Sequence, residues 1–144
     1  MNQQIRSFGI SVHRLSSMLD HQSDALLNEK FGIGFSGFKI MVGLNKHQNL
    51  QQNEIARALG QTEASVSRQI RVLVDAGLVA SMLDPENRRQ HQTRLTPKGE
   101  RVLGEAMAAL EIHYSPLFER FSEHRLMQIQ ETLDEMIDIL CTKN

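Results

Sequence analysis

Two short helical patterns separated by one glycine constrain this chain more than anything else in it. They are LQQNEIARALG and QTEASVSRQIRVLVDAG, covering residues 50–77. The first predicts a helix over residues 51–59 that buries Ile55, Ala58 and Leu59, with Gly60 supplying the turn. The second predicts a helix that Thr62 caps and that ends before Gly77. At about 100° per residue, Val66, Ile70 and Leu73 share one face, while Ala64, Ser67, Arg68 and Arg71 gather on the other. A short helix that follows a tight turn with a small, polar and basic face outward is the arrangement that enters a DNA major groove.

What comes next narrows the reading. Residues 78–83 and 91–95 predict paired strands around DPENRRQH, which sets Asn87, Arg88 and Arg89 at a hairpin tip. Guanidinium groups there are costly to bury and suited to the negative potential of a minor groove. Helical pair plus hairpin is a winged helix-turn-helix. In the recognition helix Ala64, Ser65 and Ser67 are small enough for close approach to base edges, and Arg68 and Arg71 can reach guanine acceptors or phosphates.

The flanks read as further helices. Ile5, Phe8, Val12, Leu15, Leu19 and Leu26 recur at helical spacing over residues 4–29, and Gly32 and Gly34 end that pattern. Ser36 is the expected cap of a second helix carrying Phe38, Met41 and Leu44, with residues 45–49 as a polar connector. Thr96-Pro97 starts a helix carrying Val102, Leu103, Ala106, Leu110 and Leu117, which Pro116 is expected to kink or interrupt. Ser122 caps the last, with a seam of Leu126, Ile129, Leu133, Met136 or Ile137, and Leu140. The expected fold is mainly α with a small β-hairpin wing, in one domain over residues 1–144.

Composition excludes several classes. The 144 residues are 40% hydrophobic without Trp, so Leu, Ile, Val and Met must fill the core, and Met18, Met41, Met82, Met107, Met127 and Met136 are expected core fillers. Apolar runs fall well short of the ~20 residues of a membrane span, and the polar residues throughout MNQQIRSFGI predict no cleavable leader. The single cysteine, Cys141, has no partner for a disulfide or metal site, which fits a reducing cytoplasm; an inert, partly packed thiol is expected. The six histidines form no metal-binding spacing, so neither metal nor cofactor is expected. No nucleophile–base pair, phosphate-binding glycine loop or catalytic carboxylate pair appears, which argues against an enzyme. The net charge of −1 conceals an asymmetry: residues 1–50 hold 5 basic and 3 acidic side chains, residues 51–101 hold 8 and 6, and residues 102–144 hold 3 and 8. The acidity sits away from the DNA-facing segment.

On NEIARALG, SVSRQIRVLVDAGLV, DPENRR and LTPKG, residues 36–101 resemble the DNA-binding lobe of the MarR (multiple antibiotic resistance regulator) family. The helices over residues 4–29 and 102–142 are similar in length and order to that family's dimerisation helices, so the resemblance spans nearly the whole chain. It implies a homodimeric transcription regulator, expected to be a repressor, on an inverted-repeat operator in double-stranded DNA. Release by a small-molecule effector, often aromatic or phenolic in that family, is implied too; its pocket residues are not legible in the sequence. Two departures stand out. Asn87 replaces the acidic residue usual before the wing arginines, and Val72, Val74 and Ala76 stand where the family often carries charge. The other class weighed, a winged-helix module for protein–protein interaction without DNA binding, would favour an apolar recognition face, against which Arg68 and Arg71 argue.

Overall fold

The structure is a computed structural model that describes residues 3–87 and 91–142. It contains helices α1 (Gln3–Phe31), α2 (Phe35–Lys46), α3 (Gln52–Leu59), α4 (Glu63–Asp75), α5 (Pro97–Phe118) and α6 (Glu123–Cys141), and strands β1 (Leu50–Gln51), β2 (Val79–Leu83) and β3 (His91–Leu95). The mainly helical architecture with a small antiparallel sheet is the one expected. The sheet has three strands in the order β1-β3-β2 and not two, because Leu50 pairs with Thr93 on the free edge of the hairpin. Asn49, with φ 62°, turns the chain into that added strand. Two residues carry no periodicity, so β1 is invisible to a pattern reading.

Two compact units divide the chain, residues 1–108 and residues 109–144. The core of the first is built from Leu27 of α1, Ile40, Met41 and Leu44 of α2, Ile55 of α3, and Val66, Ile70 and Leu73 of α4, with Val79 and Leu103 also buried. Gly37 lets α2 approach α4, since a Cβ there would sit 3.4 Å from the Leu73 side chain. In α3 the buried positions are Ile55 and Ala56, with Leu59 half-buried; Ala58, expected inside, is exposed. Over two turns the inward stripe centres about one residue's rotation from where the sequence places it.

The start of α2 also differs from expectation. Gly34 is its N-cap residue, and Ser36 lies within the helix. The orphan N–H of Phe35 donates to Asp24 Oδ1 of α1 at 2.8 Å, and Asn28 Nδ2 holds the other carboxylate oxygen at 3.1 Å. A carboxylate eleven residues upstream thus does the capping that Ser36 was expected to do, and no local pattern reports it. At α5 the cap is the expected one, Thr96 Oγ1 accepting from Gly99 N at 3.0 Å. The helix continues through Pro116 to Phe118, its last residue, so the proline neither interrupts the helix nor leaves a second segment beyond it. Ser122 caps α6 by accepting from Arg125 N at 3.3 Å.

Large apolar side chains remain uncovered. Ile5, Phe8, Val12 and Leu15 of α1 are exposed, and α6 buries no residue at all. Of the six methionines expected in the core only Met41 is there; Met18, Met82, Met107, Met127 and Met136 are exposed. Cys141 is exposed too, not partly packed. The reason is common: these positions lie on helix segments or a hairpin that the described residues leave uncovered.

Two backbone joints give opposite expectations for substitution. A Cβ at Gly99 would overlap the Leu78 carbonyl oxygen, which is backbone and cannot rotate away. Gly99→Ala should therefore cost several kcal/mol, about 3 or more, in urea unfolding. Thr93 is wholly buried in β3, and its hydroxyl has no hydrogen-bond partner among the described residues. Thr93→Val keeps the shape and removes that penalty, so stability should rise by about 1 kcal/mol. A drop on urea titration would show that the hydroxyl is satisfied.

Candidate nucleic-acid interface

The interface is assembled from the turn before α4, its outward face and the wing. At the end of α3, Gly60 adopts the left-handed conformation, φ 61°, that reverses the chain. Gln61 follows, its Nε2 donating to Ser36 Oγ at 3.0 Å, which ties the turn to α2. Thr62 then caps α4 as predicted, Oγ1 accepting from Ser65 N at 3.2 Å. The remaining N–H groups of the first turn point out of the helix end, where a phosphate is electrostatically favoured.

Burial of Val66, Ile70 and Leu73 fixes the rotation of α4. Ala64, Arg68 and Arg71 are then exposed, as predicted, whereas Ser65 and Ser67 flank them half-buried. Among the described residues no carboxylate forms a salt bridge with Arg68 or Arg71, so neither guanidinium is neutralised by an ion pair there. Val72, on the same outward side, is 53% exposed, which leaves the end of the helix apolar where the resemblance expects charge.

In the wing, the β2–β3 register closes with Leu83 opposite His91. Asp84 Oδ1 accepts from Glu86 N at 2.9 Å, an Asx-type turn that starts the loop. Asn87 is exposed. Arg88 and Arg89, the predicted wing contacts, lie outside the described residues. Among the described residues, no group of three His, Cys, Asp or Glu side chains is placed to hold a metal ion, and no helix is long and apolar enough to cross a membrane. Sequence reasoning missed Gln61 and Asp24 and gave Ser36 a capping role in place of its bond to Gln61; these residues orient the presented helix and its support. Their polar side chains in a cap-rich stretch were the available signal, but pairing over 11 or 25 residues is not periodic.

Comparison with known proteins agrees with this geometry. The MarR family model matches residues 36–91, the segment that carries α2, α3, α4 and the wing stem. Over that segment the chain is similar to the MarR family. Among relatives it is 25% identical over 99 residues to the HTH-type transcriptional regulator BilQ of Clostridioides difficile, covering 69% of this chain and 67% of that protein. A MarR transcriptional regulator from Methanosarcina mazei has the same fold, with a TM-score of 0.87 at 22% identity over 96% of this chain and 99% of that one. MepR of S. aureus, solved as a DNA complex, is 25% identical with a TM-score of 0.78 over 91% and 96% of the two chains. The relatives that it resembles in sequence are HTH-type transcriptional regulators.

The cap on α4 can be tested apart from DNA. Thr62→Ala removes the acceptor for Ser65 N and should lower stability by about 1 kcal/mol in urea unfolding, whereas Thr62→Ser should retain most of it. Equal losses for both would mean that the methyl group, not the hydroxyl, matters.

Proposed function

We propose that this protein is a homodimeric repressor that binds an inverted-repeat operator and is released by a small-molecule effector, acting in the cytoplasm beside the chromosome. One observation carries the reading: α4 is capped, rotationally fixed by its buried stripe, and turns Arg68 and Arg71 outward without a salt-bridge partner among the described residues. In this reading Ala64, Ser65 and Ser67 allow the helix N-terminal half to approach base edges. Arg68 reads a guanine edge, Arg71 takes a base edge or phosphate, and Thr62 with the first-turn amides faces the backbone. Asn87, Arg88 and Arg89 form the wing contact in the minor groove. MepR, seen bound to DNA, supports a duplex as the partner.

Dimerisation is supported by the uncovered seams. Ile5, Phe8, Val12 and Leu15 at one end, and Ile129, Leu133, Ile137 and Leu140 at the other, are exposed together. Contiguous apolar faces of this kind mark interfaces, and two-fold pairing is the commonest way to cover them. The helices over residues 4–29 and 102–142 are therefore assigned to dimerisation and residues 36–101 to DNA binding. Effector release follows the family resemblance; an aromatic or phenolic compound is the expected class. Cys141, alone among the sulfur groups as a thiol, is given no sensing role.

Light scattering at micromolar concentration should give twice the chain mass, and a monomer that still binds operator would overturn the dimer. Selection from random duplexes should enrich an imperfect inverted repeat with half-sites roughly 34–36 Å apart. Arg68→Ala should relax preference at one position of each half-site, losing about 1–3 kcal/mol of discrimination there. Unchanged preference would remove Arg68 from base reading.

A further inference from the structure

The chain leaves α4 through three consecutive carbonyl groups, and one four-residue segment receives all three. The oxygen of Ala76, the C-cap residue, accepts from Lys98 Nζ at 2.8 Å. That of Gly77 accepts from Thr96 Oγ1 at 2.7 Å. That of Leu78 accepts from Thr96 N at 3.0 Å, and Gly99 lies so close to it that no Cβ fits. Thr96 Oγ1 also accepts from Gly99 N, so this hydroxyl both caps α5 and grips the end of α4. An ammonium at helix C-terminal carbonyls meets their partial negative charge. The segment Thr96–Pro97–Lys98–Gly99 is thus both the first turn of α5 and a clamp on the exit of α4.

We propose that Thr96 and Lys98 are positioning residues for operator recognition, holding the angle at which α4 presents Arg68 and Arg71. The proposal rests on the DNA-contact roles given above to those two arginines. The buried stripe of α4 is apolar, and apolar burial is non-directional, so it tolerates a small roll or slide of the helix. Directional bonds to other elements at its two ends remove that freedom: Gln61 on Ser36 of α2 at the start and the clamp at the exit. A bidentate arginine contact needs the angle that they fix. Both side-chain bonds of the clamp are solvent-exposed, so water can replace them at little cost in stability, while the lost orientation is not restored.

The test uses the full chain and a duplex that the wild type selects from a random library, against a shuffled duplex of the same composition, over a salt series. Lys98→Met and Thr96→Val should bind the selected duplex roughly three- to tenfold more weakly and the shuffled one as the wild type does, with the salt slope kept. Lys98→Arg, whose guanidinium can donate to the same carbonyl, should restore most of the loss. If Lys98→Met weakens both duplexes alike and flattens the salt dependence, Lys98 is a phosphate contact and the proposal is overturned. Wild-type discrimination in Lys98→Met also overturns it. Should Thr96→Val fail to fold, because it also loses the α5 cap, the Lys98 variants decide alone. A wild type that enriches no sequence would overturn the operator reading itself and this proposal with it, a result distinct from both others.

Discussion

The stripe of Val66, Ile70 and Leu73 on α4 is the constraint from which the rest of the lobe follows. All three are essentially inaccessible to water, and Leu73 packs where Gly37 lets α2 come near. Each such side chain gains about 1.5–3 kcal/mol on burial, more than any exposed arginine pair could oppose. Because a helix has a fixed turn per residue, burying those three leaves no choice about what faces outward. Arg68 and Arg71 are therefore presented by the core, not by any preference of their own. Function here is the reverse side of packing.

A stripe sets rotation but not the helix ends, and those are set by polar groups. Thr62 and Gly60 fix the start, while the end depends on a turn at Gly77, whose φ of 73° only glycine adopts readily. The supporting helix α2 is handled in the same way, with Asp24 reaching across from α1 to its first amide. Each individual bond is worth little net stability in water. Their value is geometric, since leaving a helix terminus unsatisfied would allow it to fray or re-aim.

Sequence made most of this legible where the signal was local. The α4 cap, its two faces, the Gly60 turn, the β3 span and the caps at Thr96 and Ser122 all rest on residues within four positions of one another. Ala58 was misplaced because an eight-residue helix has too few apolar residues to fix its phase. β1, Asp24 on Phe35 and Gln61 on Ser36 depend on partners 43, 11 and 25 residues away, for which one sequence holds no periodic trace. The methionines misled for another reason. Pattern identifies an apolar face, but whether that face is covered by the same chain or by another is a property of tertiary and quaternary structure.

That last distinction also gives the charge distribution a physical meaning. Residues 102–144 hold 3 basic and 8 acidic side chains, and α6 lies within this stretch with its apolar side chains uncovered. A helix that is apolar on one side and acidic on the other can pair through the first while the second stays in water and repels phosphate. Phosphate is repelled by such a charge balance, so residues 102–144 are a poor surface for a duplex and residues 51–101, with 8 basic and 6 acidic side chains, a better one. The modest net charge of the whole chain is therefore a poor guide to its affinity for a duplex. What matters to a duplex is the sign of the field where it docks, because at physiological salt charges more than about 8 Å from that surface are largely screened.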